Sequence, residues 1–416
     1  MSRVLNVYLE YDLVGQLQYD AGQISFIYTK AWLKKATAIP LSYSLPLQEE
    51  KFQHAQCQGF FAGILPEENQ RAIIARNLGI SRLNDFALLE QIGGECAGAI
   101  CFLPEGTALP KPKDHYRHLT HLELAEILSV LPRRPLMAGE VGVRLSLAGA
   151  QDKLAVHVAK DGAISLPLGG APSTHILKPA MRDIPGIVFN EAFCLKLANA
   201  IGLSVAKAET GHVDNTDYLL VERYDRILEG KNKMHRIHQE DFCQALGIVS
   251  QMKYQREGGP SLADCFNVLR KTSTSPAVDI NGLLDAVIFN FLIGNNDAHG
   301  KNFSLLCSRL PTGSVRLAPL YDLVCTTYYP DLSPKMAMKI GGEYLADRIL
   351  PRHFETLAEE TGLAKPLVKK RVLVLTEAVM LGLDKVAILH PVADAVSMWI
   401  RKRCKQVQRQ FQIASS

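Results

Sequence analysis

"GNNDAHGKNFSLL", residues 294–306, sets Asp297, His299, Lys301 and Asn302 directly behind an apolar run, and Asp322 follows in "APLYDLV". Phosphoryl transfer with magnesium needs oxygen ligands for the cation and a carboxylate to orient the hydroxyl nucleophile, with little covalent participation by the protein. Asn302 and Asp322 can provide the oxygen ligands, and Asp297 the carboxylate. Asp297 and Asn302 stand five positions apart, the interval between aspartate and metal-binding asparagine in a protein-kinase catalytic loop. Such a pair alone recurs by chance, and it gains force from the later aspartate and from a lysine on an upstream strand. His299 can ligate a metal, but zinc normally recruits further His or Cys at suitable spacing, so nucleotide contact or loop support fits better. Lys301 suits either phosphate neutralisation or solvent. Asn295 and Asn296 read as turn formers or local hydrogen-bond donors.

Upstream, Lys178 ends the short apolar run "THILKP". There it is a surface lysine or an ammonium within reach of phosphates. "SLAGAQDK", residues 146–153, is a loop of small residues before a strand. Backbone N–H groups at Ala148, Gly149, Ala150 and Gln151 can approach phosphate oxygens closely, although the loop lacks the G-x-G-x-x-G and Walker A patterns. Ser146 is a buried hydroxyl, a cap or a modification site. Glu222 and Tyr224 in "LLVERYDR" follow a strand, where a crossing segment can offer backbone groups to a purine.

The elements that must position these residues are readable from periodicity. "RVLNVYLEYDLVGQLQYDAGQISFIY" alternates around two turns and opens the chain as a small antiparallel sheet. Helices follow, one over "PEENQRAIIARNLG". "CAGAICFL" closes the sheet, and the Pro-rich residues 103–115 mark a boundary. Thr120 and Glu123 form a capping-box pattern, and Asp161–Gly162 turns a hairpin. "NEAFCLKLANAIGL" reads as a helix ended by Gly202. "HQEDFCQALG" reads as a helix opened by acids, and "GLLDAVIFNFLIG" as a core helix stopped by Gly294. Two more helices close the chain; the basic run Arg401, Lys402, Arg403 and Lys405 reads as a solvated helix face. The expected fold is α+β, a two-lobed kinase-like core with an additional small N-terminal α/β domain. Its divisions fall at residues 1–105, 106–235 (the nucleotide lobe with its linker) and 236–416 (the mainly helical catalytic lobe).

Across 416 residues the chain is 47% hydrophobic and 21% charged with a net charge of +4, which fits folded domains and does not single out nucleic acid as a partner. The nine cysteines lack zinc-knuckle or CxxC spacing and suit buried thiols in a reducing compartment. The opening "MSRVLNVYLEYDLVG" carries acids where a leader would be apolar, so a soluble cytoplasmic protein with no membrane partner is expected.

"RLSLAGAQDKLAV", "STHILKP", "YLLVERYDR", "HQEDFCQALG", "GNNDAHGKNFSL" and "LAPLYDLV" stand in an order that resembles the HipA family of bacterial toxin kinases over nearly the full chain. "GFFAGILPEENQR" and "GGECAGAI" are similar to that family's amino-terminal domain. The resemblance implies a serine/threonine protein kinase using ATP and Mg2+. Asp297 would be catalytic, and Asn302 and Asp322 would hold metal. Lys178 would contact phosphates, with Glu191 as its acidic partner. The backbone around Glu222 and Tyr224 would bind adenine, His299 would lie near the nucleotide, and Ser146 would be the autophosphorylation site that silences the enzyme. Asp152 stands where the family often has Glu. The resemblance further implies a helix-turn-helix antitoxin of the HipB type, operator DNA reached through that antitoxin, and a protein substrate of which glutamyl-tRNA synthetase is the characterised example. Growth arrest and persistence would follow from inhibited translation. A kinase-like co-repressor with little catalysis and a small-molecule phosphotransferase are the alternatives.

Overall fold

The computed structural model describes residues 3–107, 109, 115–229, 233–309 and 313–413, so much of the Pro-rich boundary at 103–115 lies outside the described residues. The chain forms two compact units. The first comprises Met1–Pro179, Gly211–Gln251 and Leu305–Ser314, and the second Ala180–Thr210, Met252–Ser304 and Val315–Ser416.

In the first unit, β1 (Arg3–Leu9), β2 (Asp12–Asp20), β3 (Gln23–Tyr28) and β4 (Ile100–Pro104) form an antiparallel sheet in the order β3-β2-β1-β4. Period-two burial along β1 sends Leu5, Val7 and Leu9 inward. The helices His54–Gly63, Glu68–Asn77 and Asp85–Ile92 lie between β3 and β4 in sequence. A second sheet takes β5 (Tyr116–His118), β6 (Leu154–Val158), β7 (Ile164–Pro167), β8 (His175–Pro179), β9 (Ala208–Val213, of which residues 211–213 fall in this unit) and β10 (Thr216–Glu222) in the order β5-β7-β6-β8-β10-β9. The hairpin joining β6 to β7 turns at Asp161, whose carboxylate accepts the Ala163 N–H at 3.1 Å, and at Gly162 with φ 88°. One apolar cluster runs from Leu5, Phe26 and Phe61 to Leu154, Val156 and Leu177, so both sheets of this unit share a core. The expected capping box is present: the Glu123 carboxylate accepts the Thr120 N–H, and the Thr120 hydroxyl accepts the Glu123 N–H.

"HQEDFCQALG" departs from expectation. His238–Asp241 is a strand, and only Phe242–Ala245 is helical, capped by Asp241 and Gln244. Glu240 is not a solvated first-turn acid; it points inward and accepts hydrogen bonds from the Ser42 hydroxyl and the Tyr43 N–H. Burial pushes its pKa up from 4.5 to about 7 against those two hydrogen bonds. A buried acid with a raised pKa keeps its proton in the folded state after the unfolded chain has lost it. Stability therefore falls as pH rises through the window from 4.5 to about 7, then levels off. Glu240→Gln should raise Tm relative to wild type at pH 8, with the difference shrinking toward pH 4. A Tm difference independent of pH would rule out this titration as the cause.

The second unit is mainly helical: Ile187–Ala200, Leu262–Thr272, Pro276–Ile293, Pro351–Thr361, Lys365–Leu383 and Pro391–Ile413. Pro276–Ile293 is the described helix long and apolar enough to cross a membrane, yet 67% of it is buried inside the protein, as suits a core helix. It ends at Gly294, whose φ is 71°. A Cβ there would lie 2.1 Å from the Thr327 hydroxyl and 2.5 Å from the Trp399 ring. Conformation and close approach both demand glycine at this point, where the polar loop begins.

Arg403 corrects the reading of the basic run. Its guanidinium is buried, donates to Asp347 and the Ala346 carbonyl, and lies 4.5 Å from the Phe291 ring centroid. Lys402 and Lys405 are exposed as expected. The cysteines are unpaired, all of them buried except the half-buried Cys307. Burial raises the Cys57 thiol to about 12, so it behaves as a small apolar side chain.

Candidate functional site

In the second unit, the loop after Gly294 is held by its amides. Asn295 donates to the Asn290 side-chain carbonyl at 2.8 Å and to the Asp322 main-chain carbonyl at 3.1 Å. Its own side-chain oxygen accepts the Asp297 N–H at 3.2 Å. One buried amide thus ties the helix end, the Asp297 backbone and the Asp322 backbone together. Asn296 is buried as well. Its N–H donates to the Thr326 hydroxyl at 2.8 Å, and its carbonyl accepts the Ala337 N–H at 2.7 Å. Local turn formation understates both residues, because they fasten the loop to segments nearly thirty or more positions away.

With its backbone fixed, Asp297 presents an exposed carboxylate, and the Tyr254 hydroxyl donates to its Oδ1 at 2.8 Å. Tyr254 also meets the His299 ring edge-on, with centroids 5.4 Å apart. Neither Tyr254 nor Asn290 was singled out by sequence. Tyr254 lies in a polar, glycine-rich stretch with no local pattern, and Asn290 reads as one polar position on an apolar helix. His299 is buried and Lys301 is buried, which removes the exposed-lysine account of the latter. The Lys301 carbonyl accepts the Tyr321 hydroxyl at 2.7 Å, and Asn302 is half-buried.

Asp322 has φ 51°, in the left-handed region that non-glycine residues seldom occupy. Leu320, two positions earlier, is fixed on both sides, its N–H donating to the Ser204 carbonyl and its carbonyl accepting the Ala206 N–H, each at 2.8 Å. Surrounding contacts thus hold the segment that carries this conformation. Asn302 and Asp322 offer oxygen donors, which suit a hard cation. No group of three or more His, Cys, Asp or Glu able to hold a metal occurs among the described residues, so His299 has no zinc cluster around it. Glu191 is buried within the helix Ile187–Ala200 of this same unit.

In the first unit, Lys178 sits on β8 opposite Leu219 of β10 and is only 6% exposed, so it is no surface lysine. The loop before β6 has its carbonyls occupied: Ala148 O accepts the Lys153 ammonium at 2.5 Å, and Gly149 O accepts the Glu67 N–H at 3.3 Å. Gly149 has φ 108°, a conformation that favours glycine. Ala150 is exposed, and Ala148 and Gln151 are half-buried. Ser146 is fully buried, its hydroxyl donating to the Ile64 carbonyl at 3.0 Å. Asp152 accepts from the Gln70 amide at 2.5 Å. Glu222, the last residue of β10, is exposed, and Tyr224 beyond it is half-buried with its hydroxyl donating to Gln239 at 2.6 Å. The Arg223 N–H between them donates to the Thr174 carbonyl at 2.9 Å, which commits that amide to the fold.

A family model described as the HipA N-terminal domain matches residues 5–103, and one described as a HipA-like C-terminal domain matches residues 145–382. Y4mE of Sinorhizobium fredii, named a kinase by inference, is 48% identical over 89% of this chain and 88% of its own length. The serine/threonine-protein kinase toxin HipA of Shewanella oneidensis is 30% identical over 92% of this chain and 89% of its own. The solved complex of Shewanella oneidensis HipA, HipB and operator DNA covers 98% of both chains with a TM-score of 0.85 and 28% identity. The α+β fold is accordingly that of a two-lobed kinase-like core with an added small N-terminal domain. With both family models matched in order and the fold shared over nearly its whole length, the chain belongs to the HipA family of toxin–antitoxin kinases.

Proposed function

We propose that this chain is a serine/threonine protein kinase that transfers the γ-phosphoryl group of ATP to a protein hydroxyl and acts as the toxin of a toxin–antitoxin module. The observation that carries the reading is the Asn295 cross-link, which holds the backbones of Asp297 and Asp322 in one rigid loop system. Bound ATP with magnesium would supply the transferable group and neutralise its developing charge. Asn302 and Asp322 would hold the cation through oxygen, and the buried Lys178 would meet the phosphates. With the Ala148 and Gly149 carbonyls drawn elsewhere, the N–H side of the loop through Ala150 and Gln151 is left to receive anionic oxygens. Asp297 would orient the acceptor hydroxyl and take its proton, its own rotamer fixed by Tyr254. His299 and Lys301 would support the nucleotide, and the Glu222–Tyr224 crossing would meet adenine.

On this reading, residues 1–105 form the amino-terminal domain, 106–235 the nucleotide lobe and 236–416 the catalytic lobe. The protein acts in the cytoplasm, and an antitoxin of the HipB type binds it and connects it to operator DNA. The solved Shewanella oneidensis assembly of HipA with HipB and DNA supports that partnership. Glutamyl-tRNA synthetase is the proposed acceptor, with growth arrest through inhibited translation. Ser146 is the proposed site of self-modification. Its complete burial requires the loop to leave its seat first, and a dianionic phosphate cannot return to that seat.

Phosphosite mapping tests the acceptor class. Incubation with ATP, Mg2+ and purified aminoacyl-tRNA synthetases is expected to yield phosphoserine or phosphothreonine on a synthetase and on Ser146. Label recovered only in metabolites would replace the protein-kinase reading with a small-molecule phosphotransferase. Retained antitoxin binding with no transfer to any acceptor would replace it with a co-repressor.

A further inference from the structure

The stretch Glu95–Gly98, which belongs to the matched amino-terminal domain, contains a heavily engaged buried carboxylate. Glu95 Oε1 accepts the Ser173 N–H at 3.0 Å and the Ser173 hydroxyl at 2.8 Å. The same oxygen accepts Arg223 at 3.2 Å and Arg226 at 2.8 Å, while Oε2 pairs with Arg236 at 2.6 Å. The neighbouring backbone takes part as well. The Cys96 carbonyl accepts Arg223 at 2.8 Å, and the Gly98 N–H donates to the Asp225 carboxylate at 2.7 Å. Gly98 allows this approach, since its φ is 75° and a Cβ would fall 2.7 Å from the Gln239 nitrogen. Burial alone would raise the Glu95 pKa, but Arg226, Arg236 and Arg223 outweigh it and hold the group ionised down to about 2.

The main chain of the same residue faces another way. The Glu95 N–H donates to the Arg144 carbonyl at 2.8 Å, and its carbonyl accepts the Ser146 N–H at 2.9 Å. This is a parallel bridge onto Leu145, at the root of the loop that continues through Ala148–Gln151. A single residue therefore binds the loop root through its backbone and the Arg223–Arg226 segment through its side chain. Its side chain also engages Ser173 and Arg236, but the loop root and the Arg223–Arg226 segment have a further relation. They are the two that the kinase reading assigns to phosphate and adenine.

We infer that Glu95 is a positioning residue for nucleotide, setting the phosphate loop and the adenine-side segment in one register, so that the amino-terminal domain is an integral part of the ATP site. This rests on the assignment of those segments to ATP. If they serve that ligand, a shift of either relative to the other misplaces adenine when the phosphates are seated. The penalty falls on binding, while Asp297 and its proton transfer remain intact.

The test uses the full chain and measures ATP affinity by equilibrium dialysis, the split between KM for ATP and kcat, and amide hydrogen exchange without nucleotide. Glu95→Gln keeps the shape and removes the charge. It is expected to raise Kd and KM for ATP at least about tenfold, as loss of a charge-assisted network does, with kcat within about threefold of wild type. Exchange should accelerate at residues 144–148 and 223–226 together. Ser173→Ala removes a buried hydroxyl that donates to Glu95 and accepts from Arg223, each at 2.8 Å, and should raise Kd in the same direction by about three- to tenfold, in keeping with two hydrogen bonds. It decides the question if Glu95→Gln does not fold. A folded variant with unchanged ATP affinity, beside a wild type that binds ATP, overturns the inference and leaves the kinase reading standing. A wild type that does not bind ATP overturns the kinase reading itself, and the positioning role falls with it.

Discussion

Asp297→Ala is expected to lower phosphoryl transfer about 10²- to 10⁴-fold, the usual contribution of a positioned general base, while ATP affinity stays within about threefold of wild type. The separation follows from where the side chain sits. The Asp297 carboxylate is exposed, its hydrogen bond comes from Tyr254, and its backbone is fixed independently through the Asn295 side-chain oxygen. Removing the carboxylate therefore deletes hydroxyl positioning without releasing the loop. Asp297→Asn should be nearly as inactive, since an amide keeps the shape but cannot take the proton. Tyr254→Phe should fall between these variants and wild type, because it frees the rotamer and leaves the base. Stopped-time assays with saturating ATP check the kcat effect. A loss confined to KM would remove Asp297 from its assigned role.

Asp322→Asn is expected to cost several kcal/mol of transition-state stabilisation, about 10²- to 10³-fold in rate, and to raise the magnesium concentration needed for half-maximal activity. Asparagine is the informative substitution because it tolerates the left-handed backbone that Asp322 adopts at φ 51°. The Asn295 hydrogen bond goes to the main-chain carbonyl of residue 322 and survives the change. Fold and loop geometry are retained, and one unit of negative charge at the proposed metal position is lost. Asp322→Ala would confound the two, because alanine is disfavoured in that conformation. An unchanged magnesium dependence in a folded Asp322→Asn protein would move the metal role elsewhere.

The features legible in the sequence are those written locally. The five-residue interval from Asp297 to Asn302, the glycine that must stop the core helix, the Asp161–Gly162 turn and the Thr120 capping box each depend on neighbours a few positions away. The order of motifs then carried the resemblance from which most of the roles follow. What was not legible depends on distant partners. Lys178 looks like a surface lysine until β10 lies beside it. Glu240 carries the composition of a helix start, but Ser42 and Tyr43, nearly two hundred positions away, draw it inward. Arg403 belongs to a basic run, yet Asp347 and the face of Phe291 bury it. Glu95 stands among small residues with no spacing to mark it, because its partners come from the chain at 144–146, 173 and 223–236.

The kinase claim is met most directly by incubating the purified full-length protein with γ-labelled ATP, with and without Mg2+, beside its Asp297→Asn variant, and hydrolysing the labelled protein to its amino acids. The account predicts magnesium-dependent label on phosphoserine or phosphothreonine in the wild type and none in the variant, with both proteins binding ATP. Nucleotide binding by the wild type with no label on itself or on any protein acceptor would contradict it.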